Sequence, residues 1–259
     1  MKLDEVLQRL EKIRQLQEKY DCRVVTLYQN PESPLGGMIT EEAADSFGHV
    51  LSEIDSYVNL LIILHSKGGI AYQGMRVAAA LMNRGTSCKI LVPVEAKSAA
   101  TLIALAANKL IMFPNAQLGP VDTQLPYRGT YVSALDMLNS DDRVLRSVAR
   151  GEIRQCEENI RLLITDKFTG SRRRVRMGRL VKRLVRLDKR HGSHSAPIFP
   201  NEAKGLGLDV QVDEDIDVRS LHELYLRSDF CEHDPSTIVE YYPFEQHSQP
   251  DEAFVAQNR

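Results

Sequence analysis

Two short segments of the chain carry the residue types that acyl transfer needs. They read His-Ser-Lys-Gly-Gly at 65–69 and Lys-Ser-Ala-Ala-Thr at 97–101. Each follows an apolar run that is typical of a buried strand, and each precedes a helical pattern. Ser98 offers a hydroxyl nucleophile, and the backbone N–H groups of a glycine turn can stabilise an oxyanion. The two segments therefore predict a nucleophile beside an oxyanion-binding turn.

The same residues also have purely structural interpretations. Serine is favoured at a helix N-cap for its hydrogen bond alone, and Gly68 with Gly69 can form a strand-to-helix turn that needs positive φ. Asp122, in the segment Leu-Gly-Pro-Val-Asp at 118–122, can orient a base or bind a backbone N–H. Spacing alone leaves both kinds of interpretation open.

The elements around these segments alternate between strand and helix. Near-continuous apolar strands between helices are typical of βαβ units in a sheet that is covered on both faces. Thr40 is the predicted N-cap of the helix that follows it. The predicted bounds are helix 2–20, strand 23–28, helix 40–56, strand 58–64, helix 72–83, strand 88–94, helix 98–107 and strand 110–113.

A long helical pattern at 131–168 and a second, basic helix at 171–190 follow these units. Ten Lys or Arg residues surround the apolar stripe of the basic helix. A solvated helix face is the simpler interpretation, and a surface for nucleic acid or an acidic partner is the alternative. A short helix at 202–205 and a strand at 208–212 come next, and the chain after Asp213 is predicted to be acidic and irregular.

The predicted organisation has three parts: an amphipathic helix 1–20, a catalytic core 21–212 that includes a helical arm 130–190, and an acidic segment 213–259. We expect disorder from Gln246 onward, since the end of the chain is polar and irregular.

The composition is that of a globular protein. The 259 residues are 43% hydrophobic and 26% charged, with a formal net charge of −2 that gives no global reason to expect a nucleic-acid or membrane partner. The four cysteines are far apart, which favours free thiols in a reducing compartment. No apolar run approaches eighteen residues and the first twenty residues do not read as a secretory signal, so the expected location is the cytoplasm without a membrane span.

Two histidines, His191 and His194, stand three residues apart. No Cys or carboxylate companion stands at ligand spacing, so we expect no metal site there. His194 acquires a functional meaning only where the fold brings it to Ser98.

Taken together, the motifs resemble the serine dehydrogenase proteinase family, relatives of signal peptide peptidase A and of the Clp protease proteolytic subunit. The resemblance rests on residues 62–69, 98–107 and 114–122, with a later match at 194–210, and it spans most of residues 20–212. It implies an α/β fold, a Clp/crotonase-like spiral of βαβ units with an added long helical arm.

The resemblance also implies roles for individual residues. Ser98 matches the family's nucleophile. Gly69 and the amide of Ala99 match the oxyanion donors, and Gly68 shapes the turn. His194 is retained from the family pattern, and the unperturbed pKa of histidine, near 6.5, suits proton transfer at neutral pH. Asp122 is the candidate residue to orient its imidazole.

The sequence departs from its relatives at several of these positions. The usual Ser-Gly-Gly-Thr is Ser-Ala-Ala-Thr at 98–101, and the His-Asp pair is His-Ser at 194–195. The histidine of the Clp relatives falls at about Val121, so a Clp-type triad is not in its usual places. Lys97 is the alternative base, as a lysine serves in signal peptide peptidase relatives, but it is expected to point away from the Ser98 side chain.

The leading functional hypothesis is a serine peptidase that cleaves peptide bonds through an acyl-enzyme at Ser98. It requires no cofactor or metal, takes a protein or peptide as substrate, and assembles as a homo-oligomer; nucleic acid is not an expected partner. A catalytically degenerate scaffold of the same fold is the alternative. A crotonase-like acyl-CoA enzyme is the third hypothesis, since the same two backbone donors can polarise a thioester carbonyl.

Overall fold

A computed structural model describes residues 2–185 and 196–243. The described helices are α1 (Leu3–Tyr20), α2 (Glu41–Glu53), α3 (Ala71–Met82), α4 (Ala99–Ala106), α5 (Ala134–Met137), α6 (Arg143–Ile164), α7 (Arg173–Leu184), α8 (Pro200–Leu206) and α9 (Ile216–Arg227). The described strands are β1 (Arg23–Gln29), β2 (Leu60–His65), β3 (Cys88–Val92), β4 (Glu95–Ala96), β5 (Lys109–Met112), β6 (Gln117–Leu118), β7 (Gln124–Tyr127), β8 (Thr130–Ser133), β9 (Val210–Val212) and β10 (Thr237–Tyr241).

A six-stranded sheet in the order β10-β1-β2-β3-β5-β9 lies at the centre of the molecule. All its pairings are parallel except that of β10 with β1 at one edge. All six residues of β2 are buried, so this strand is covered on both faces, as its unbroken apolar sequence predicts. The predicted α/β class and parallel sheet are confirmed.

A second, smaller ladder leaves the carboxyl end of β2 and positions the candidate site. Ser66 forms a parallel bridge with Ala96, Ala96 pairs with Leu118 in the β4–β6 sheet, and Leu118 forms an antiparallel bridge with Ile198. The ladder therefore joins four separate parts of the chain. On β4 the ladder ends at Ala96, two residues before Ser98.

The two ends of the described chain meet in a buried polar cluster. The side chains of Arg9 and Glu240 are fully buried and lie 2.7 Å apart at their nearest nitrogen and oxygen. The Tyr225 hydroxyl lies 2.5 Å from a Glu240 carboxylate oxygen and 2.6 Å from the hydroxyl of Thr26. This cluster joins α1, β1, α9 and β10.

Most predicted elements lie within a few residues of their observed bounds, and two predictions are wrong. The chain after Asp213 is not irregular, because it forms α9, capped by the Asp215 carboxylate, and the edge strand β10. The predicted helix at 131–168 is wrong in its first part, because the long helix begins only at α6, where Asp142 caps it, and the short α5 precedes it. The residues before it form the β7–β8 hairpin, whose turn residues Arg128 and Gly129 have φ of 50° and 79°.

The described residues contain no helix with both the length and the apolar character that crossing a bilayer requires. The tail from Gln246 and the segment that carries His191, His194 and Ser195 lie outside the described residues.

Candidate active site

Ser98 lies on a strained turn between β4 and α4. Its backbone has φ 50° and ψ −120°, a conformation that residues with a side chain rarely adopt. The residue is partly exposed, and its hydroxyl does not cap α4. The N-cap interpretation therefore does not account for this serine. A strained strand-to-helix turn that presents a serine hydroxyl is a geometry that serine hydrolases use for their nucleophile.

The glycine turn lies directly against this serine. Gly68 has φ +104°, and a Cβ on it would stand 2.7 Å from the Ser98 Cβ and 3.0 Å from the Ala99 nitrogen. The same Cβ would stand 2.5 Å from the Lys97 carbonyl oxygen. Only a residue without a side chain allows this approach, so the predicted positive-φ turn is confirmed and its packing against Ser98 explains why it is needed.

Two backbone N–H groups are available beside Ser98. Gly69 pairs with Ile39 on one edge, where the Ile39 N–H donates to Gly68 and the Ile70 N–H donates to Ile39. Gly69 lies between Gly68 and Ile70, which make these two bonds. In an extended segment the N–H of such a residue points to the opposite edge, so the Gly69 N–H faces away from Ile39. Ala99 is the first residue of α4, and its N–H has no partner within the helix. Neither N–H donates a backbone hydrogen bond to another described residue.

Ser66 fixes the turn that separates these donors. Its N–H donates to the Glu95 carbonyl, and its own carbonyl accepts from the Lys97 N–H, both at 3.0 Å. Its fully buried hydroxyl accepts from the Gly68 N–H at 3.0 Å. Because the Gly68 N–H is used in this way, the N–H that remains for a ligand is that of Gly69.

The Lys97 side chain makes two described contacts. Its ammonium nitrogen lies 2.7 Å from a carboxylate oxygen of Glu95. Its side chain runs along Gly119, where a Cβ would stand 2.7 Å from the Lys97 Cγ. Both contacts hold the Lys97 side chain against Glu95 and Gly119.

Asp122 is buried and lies beside the β7–β8 hairpin. Its carboxylate accepts hydrogen bonds from the Gln124 amide at 2.8 Å and from the Ser133 hydroxyl at 3.1 Å. These bonds fix the orientation of the carboxylate and connect it to the first turn of α5, which Ser133 caps.

His194 lies outside the described residues, but both chain segments that flank it are anchored near this carboxylate. The Val121 N–H donates to the Leu184 carbonyl at 2.7 Å. On the other side, Ile198 exchanges two backbone hydrogen bonds with Leu118. The buried side chain of Arg183 donates to the Pro197 carbonyl at 2.9 Å and binds Glu202, which ties the two flanks together. Both flanks therefore meet the 118–121 segment of the site.

His65 is a buried polar residue for which the sequence pattern predicts no role of its own. It is only 8% exposed, and its Nδ1 atom has no hydrogen-bond partner among the described residues. Its ring lies 5.2 Å from the ring of His222 and 5.4 Å from that of Tyr28. Burial, and secondarily the nearby His222, lowers the pKa of His65 to about 4. Nothing in the local sequence distinguishes it, because its environment is created by α9, far along the chain.

The described part of the chain contains no group of three or more His, Cys, Asp or Glu side chains arranged to hold a metal ion. The chemistry that the described site offers is a strained serine beside two backbone donors.

Comparisons with known proteins show the family to which the chain belongs. Residues 1–254 match the model of the ClpP-like SDH-type serine proteinase family. Two proteins of Methanocaldococcus jannaschii are similar in sequence. MJ0137 is 32% identical over 235 residues, which cover 85% of this chain and 79% of that protein, and MJ1495 is 26% identical over 235 residues, which cover 85% and 77%.

Among solved structures, the chain is similar to the 1510-N membrane-bound stomatin-specific protease, with a TM-score of 0.47, 18% identity, and coverage of 72% of this chain and 79% of that one. It is also similar to ClpP1 from Listeria monocytogenes, with a TM-score of 0.47, 18% identity, and coverage of 78% and 98%. These structural likenesses are distant, and the family model spans nearly the whole chain. The α/β chain with its predicted Clp-like fold belongs to the ClpP-like SDH-type serine proteinase family.

Proposed function

We propose that the protein is a serine peptidase in which Ser98 is the nucleophile. The observation that carries this proposal is the strained backbone of Ser98, a partly exposed residue that packs against Gly68 and directly precedes Ala99. The N–H groups of Gly69 and Ala99 are the proposed donors beside its hydroxyl. Strain of this kind costs free energy, and such outliers cluster at active sites. The family assignment supports the same reaction class.

In the proposed reaction the Ser98 Oγ attacks the peptide carbonyl carbon. The Oγ proton passes to the neutral imidazole of His194 as the Oγ–C bond forms. The carbonyl oxygen becomes an oxyanion that accepts hydrogen bonds from the N–H groups of Gly69 and Ala99. The C–N bond then breaks, and His194 returns the proton to the leaving amine. A water molecule hydrolyses the acyl-enzyme with the same histidine as base.

His194 is the proposed base because the described alternatives are poorly suited. The Lys97 ammonium is bound to the carboxylate of Glu95. Four residues separate His194 from the anchored Ile198, and four residues span at most about 14 Å when fully extended. Ile198 belongs to the same ladder as Ala96, which lies two residues before Ser98. Asp122, whose carboxylate is already oriented, is the proposed partner of the histidine.

The helical arm is proposed to serve assembly, with the active protein a homo-oligomer that acts on protein or peptide substrates in the cytoplasm. The exposed apolar residues Val144 and Val148, one turn apart on α6, support an assembly role, because an exposed apolar stripe on a helix is a common contact surface. Sedimentation of the full chain tests it, and a monomer at micromolar concentration would contradict it.

A serine-reactive fluorophosphonate probe tests the proposed nucleophile. We expect the wild-type protein to be labelled and Ser98→Ala to be unlabelled, while Ser52→Ala, which removes a hydroxyl from the surface of α2, keeps full labelling. Peptide hydrolysis should follow the same order. Full peptidase activity in Ser98→Ala would show that another group is the nucleophile. A folded wild-type protein that takes no label would favour the degenerate scaffold, and tight CoA binding by calorimetry would favour the acyl-CoA hypothesis.

A further inference from the structure

The outer surface of α7 carries a dense cluster of positive charge at its amino-terminal half. Residues 172–176 include four arginines, and all of them are exposed. The helix buries its opposite face through Leu180, Val181 and Leu184. We call the exposed cations the basic patch, which consists of Arg172, Arg173, Arg174, Arg176, Arg179 and Lys182.

The basic patch is not neutralised within the described chain. The ion pairs that the described residues form on α6 and α7 are those of Arg161 with Glu157 and of Arg183 with Glu202, and neither pair includes a member of the patch. Arg173 and Arg176 each donate one hydrogen bond to a backbone carbonyl, that of Thr165 and that of Thr169. Their remaining N–H groups face solvent.

This arrangement does not stabilise the helix that carries it. The first turn of α7 contains no acidic residue, and its arginines stand at the positive end of the helix dipole, where cations are unfavourable. Residues 143–182 contain twelve Lys or Arg and four Asp or Glu, although the whole chain has a net charge of −2. The positive charge is therefore concentrated in the helical arm, and the fold gives no reason for it.

Exposed apolar side chains lie within and beside the patch. Val175 is 56% exposed and shares the outer face of α7 with Arg172 and Arg179, at spacings of three and four residues. Leu162, one turn before Thr165 on α6, is 61% exposed. The hydrogen bond of Arg173 to Thr165 holds the first turn of α7 beside this end of α6. Apolar tips among cations are the pattern of helices that lie on an anionic bilayer.

We propose that the basic patch binds the surface of a membrane that contains anionic phospholipids, with the arginine guanidinium groups on lipid phosphates and Val175 and Leu162 among the uppermost acyl carbons. Arginine suits phosphate because its planar fork donates two parallel hydrogen bonds. A single-stranded nucleic acid fits less well, since such sites stack bases on aromatic side chains. Phe168 is the single aromatic residue between positions 143 and 184, and it is buried.

Vesicle binding by the full chain tests this proposal, and it is separable from the proposed function because it can be measured on Ser98→Ala. The probes are vesicles of one part phosphatidylglycerol to three parts phosphatidylcholine, and vesicles of phosphatidylcholine alone, at 0.1 M salt. We expect binding to the first only, and weaker binding at higher salt. The triple variant Arg172→Gln, Arg174→Gln, Arg179→Gln should reduce the partition coefficient about 100-fold, since each charge contributes about fivefold near an anionic surface.

A matched variant separates the patch from net charge. Lys2→Gln, Arg14→Gln, Arg227→Gln removes the same number of charges from partly or fully exposed positions away from α7, and it should bind the anionic vesicles within about twofold of the wild type. Val175→Phe should tighten vesicle binding several-fold by adding a larger apolar tip. We expect this gain on the anionic vesicles and not on phosphatidylcholine alone, whereas a misfolded chain would expose apolar surface that binds both.

Three results would overturn the proposal. The first is no binding of the wild type to the anionic vesicles. The second is equal weakening by the matched triple variant, which would show a general charge effect. The third is binding of a 20-base-pair DNA duplex or a single-stranded RNA that anionic vesicles fail to displace, together with vesicle binding that Val175→Phe leaves unchanged. That result would assign the patch to nucleic acid.

Discussion

Leu118 and Ile198 exchange both of their backbone hydrogen bonds, at 3.0 and 2.9 Å. Leu118 is also the partner of Ala96 in the β4–β6 sheet, two residues before Ser98. The pairing therefore fixes Ile198, four residues after His194, against β6. In turn, β6 lies next to β4, the strand that leads to Ser98. This pairing supports the proposal that His194, which lies outside the described residues, acts on Ser98.

The first prediction concerns this histidine. His194→Ala should lower kcat for peptide hydrolysis by about 10²–10⁴-fold with little change in KM, since general-base catalysis typically contributes that much. His191→Ala, three residues away in the same segment, is the matched control and should retain activity within about twofold. The measurement is steady-state kinetics with a fluorogenic peptide. Equal losses in the two variants would show that the segment as a whole, and not the imidazole of His194, supports the reaction.

The second prediction concerns the glycine turn. Gly68→Ala should abolish activity and lower the free energy of unfolding, because its Cβ would stand 2.5 Å from the Lys97 carbonyl oxygen at a φ of +104°. Gly36→Ala is the control, since Gly36 also has positive φ but no atom lies within 4 Å of its added Cβ. We expect the control to cost about 1 kcal/mol of stability and to leave activity unchanged. Chemical denaturation and peptidase assays measure both. An active Gly68→Ala would mean that the turn does not pack against Ser98 as described.

The third prediction concerns the hydroxyl that orients this turn. Ser66→Ala removes the acceptor of the Gly68 N–H, so the turn is no longer fixed and the Gly69 N–H loses its orientation. We expect kcat to fall about tenfold or more while KM changes little, since the oxyanion forms only in the transition state. Ser66→Thr keeps an acceptor at this buried site and should recover part of kcat. A loss of kcat that matches in the two variants would point to packing instead of the hydrogen bond.

Much of the fold follows from local sequence patterns. The unbroken apolar run of β2 predicts a strand that is buried on both faces, and the helical spacing of apolar residues in α1 predicts a helix that is buried along one stripe. Both patterns also predict the bounds of these elements to within a few residues. The positive φ of the glycine turn is also a local prediction, because glycine lacks a Cβ and adopts positive φ readily. Ser98 was found from its type and position, although its strained backbone was not predicted, since a serine at a helix start reads equally well as an N-cap.

The rest of the structure depends on contacts between distant segments. The helix α9 and the strand β10 were missed because their acidic sequence predicts solvation, while their buried residues find partners more than two hundred positions away in α1. The β7–β8 hairpin was missed because its turn begins with Arg128, which is not a typical residue for positive φ. His65 carries no local signal, since α9 is what covers it.

The fourth prediction concerns the buried pair that joins the two ends of the described chain. Arg9→Met should destabilise the protein by about 3–5 kcal/mol, because it leaves the fully buried carboxylate of Glu240 without its cation. The double variant Arg9→Met, Glu240→Gln removes the buried charge as well and should regain much of the loss. Urea denaturation of both variants provides the test. Additive losses in the double variant would show that the two side chains contribute independently.

The fifth prediction concerns the pH dependence of stability. His65 is held neutral, because burial first and His222 second lower its pKa to about 4, while Glu95 and Lys67 act in opposite directions on it. Between pH 6.5 and 4 the unfolded chain binds a proton at this residue that the folded chain does not. The free energy of unfolding should therefore be full above pH 6.5 and fall as the pH is lowered through this window, by about 3 kcal/mol at most from this residue. His65→Phe, which preserves the ring contacts with Tyr28, should flatten the profile, while His49→Gln on the exposed face of α2 should leave it unchanged. Urea denaturation at pH 7.5, 6.0 and 5.0 measures the effect, and an unchanged slope in His65→Phe would assign the acid sensitivity to other groups.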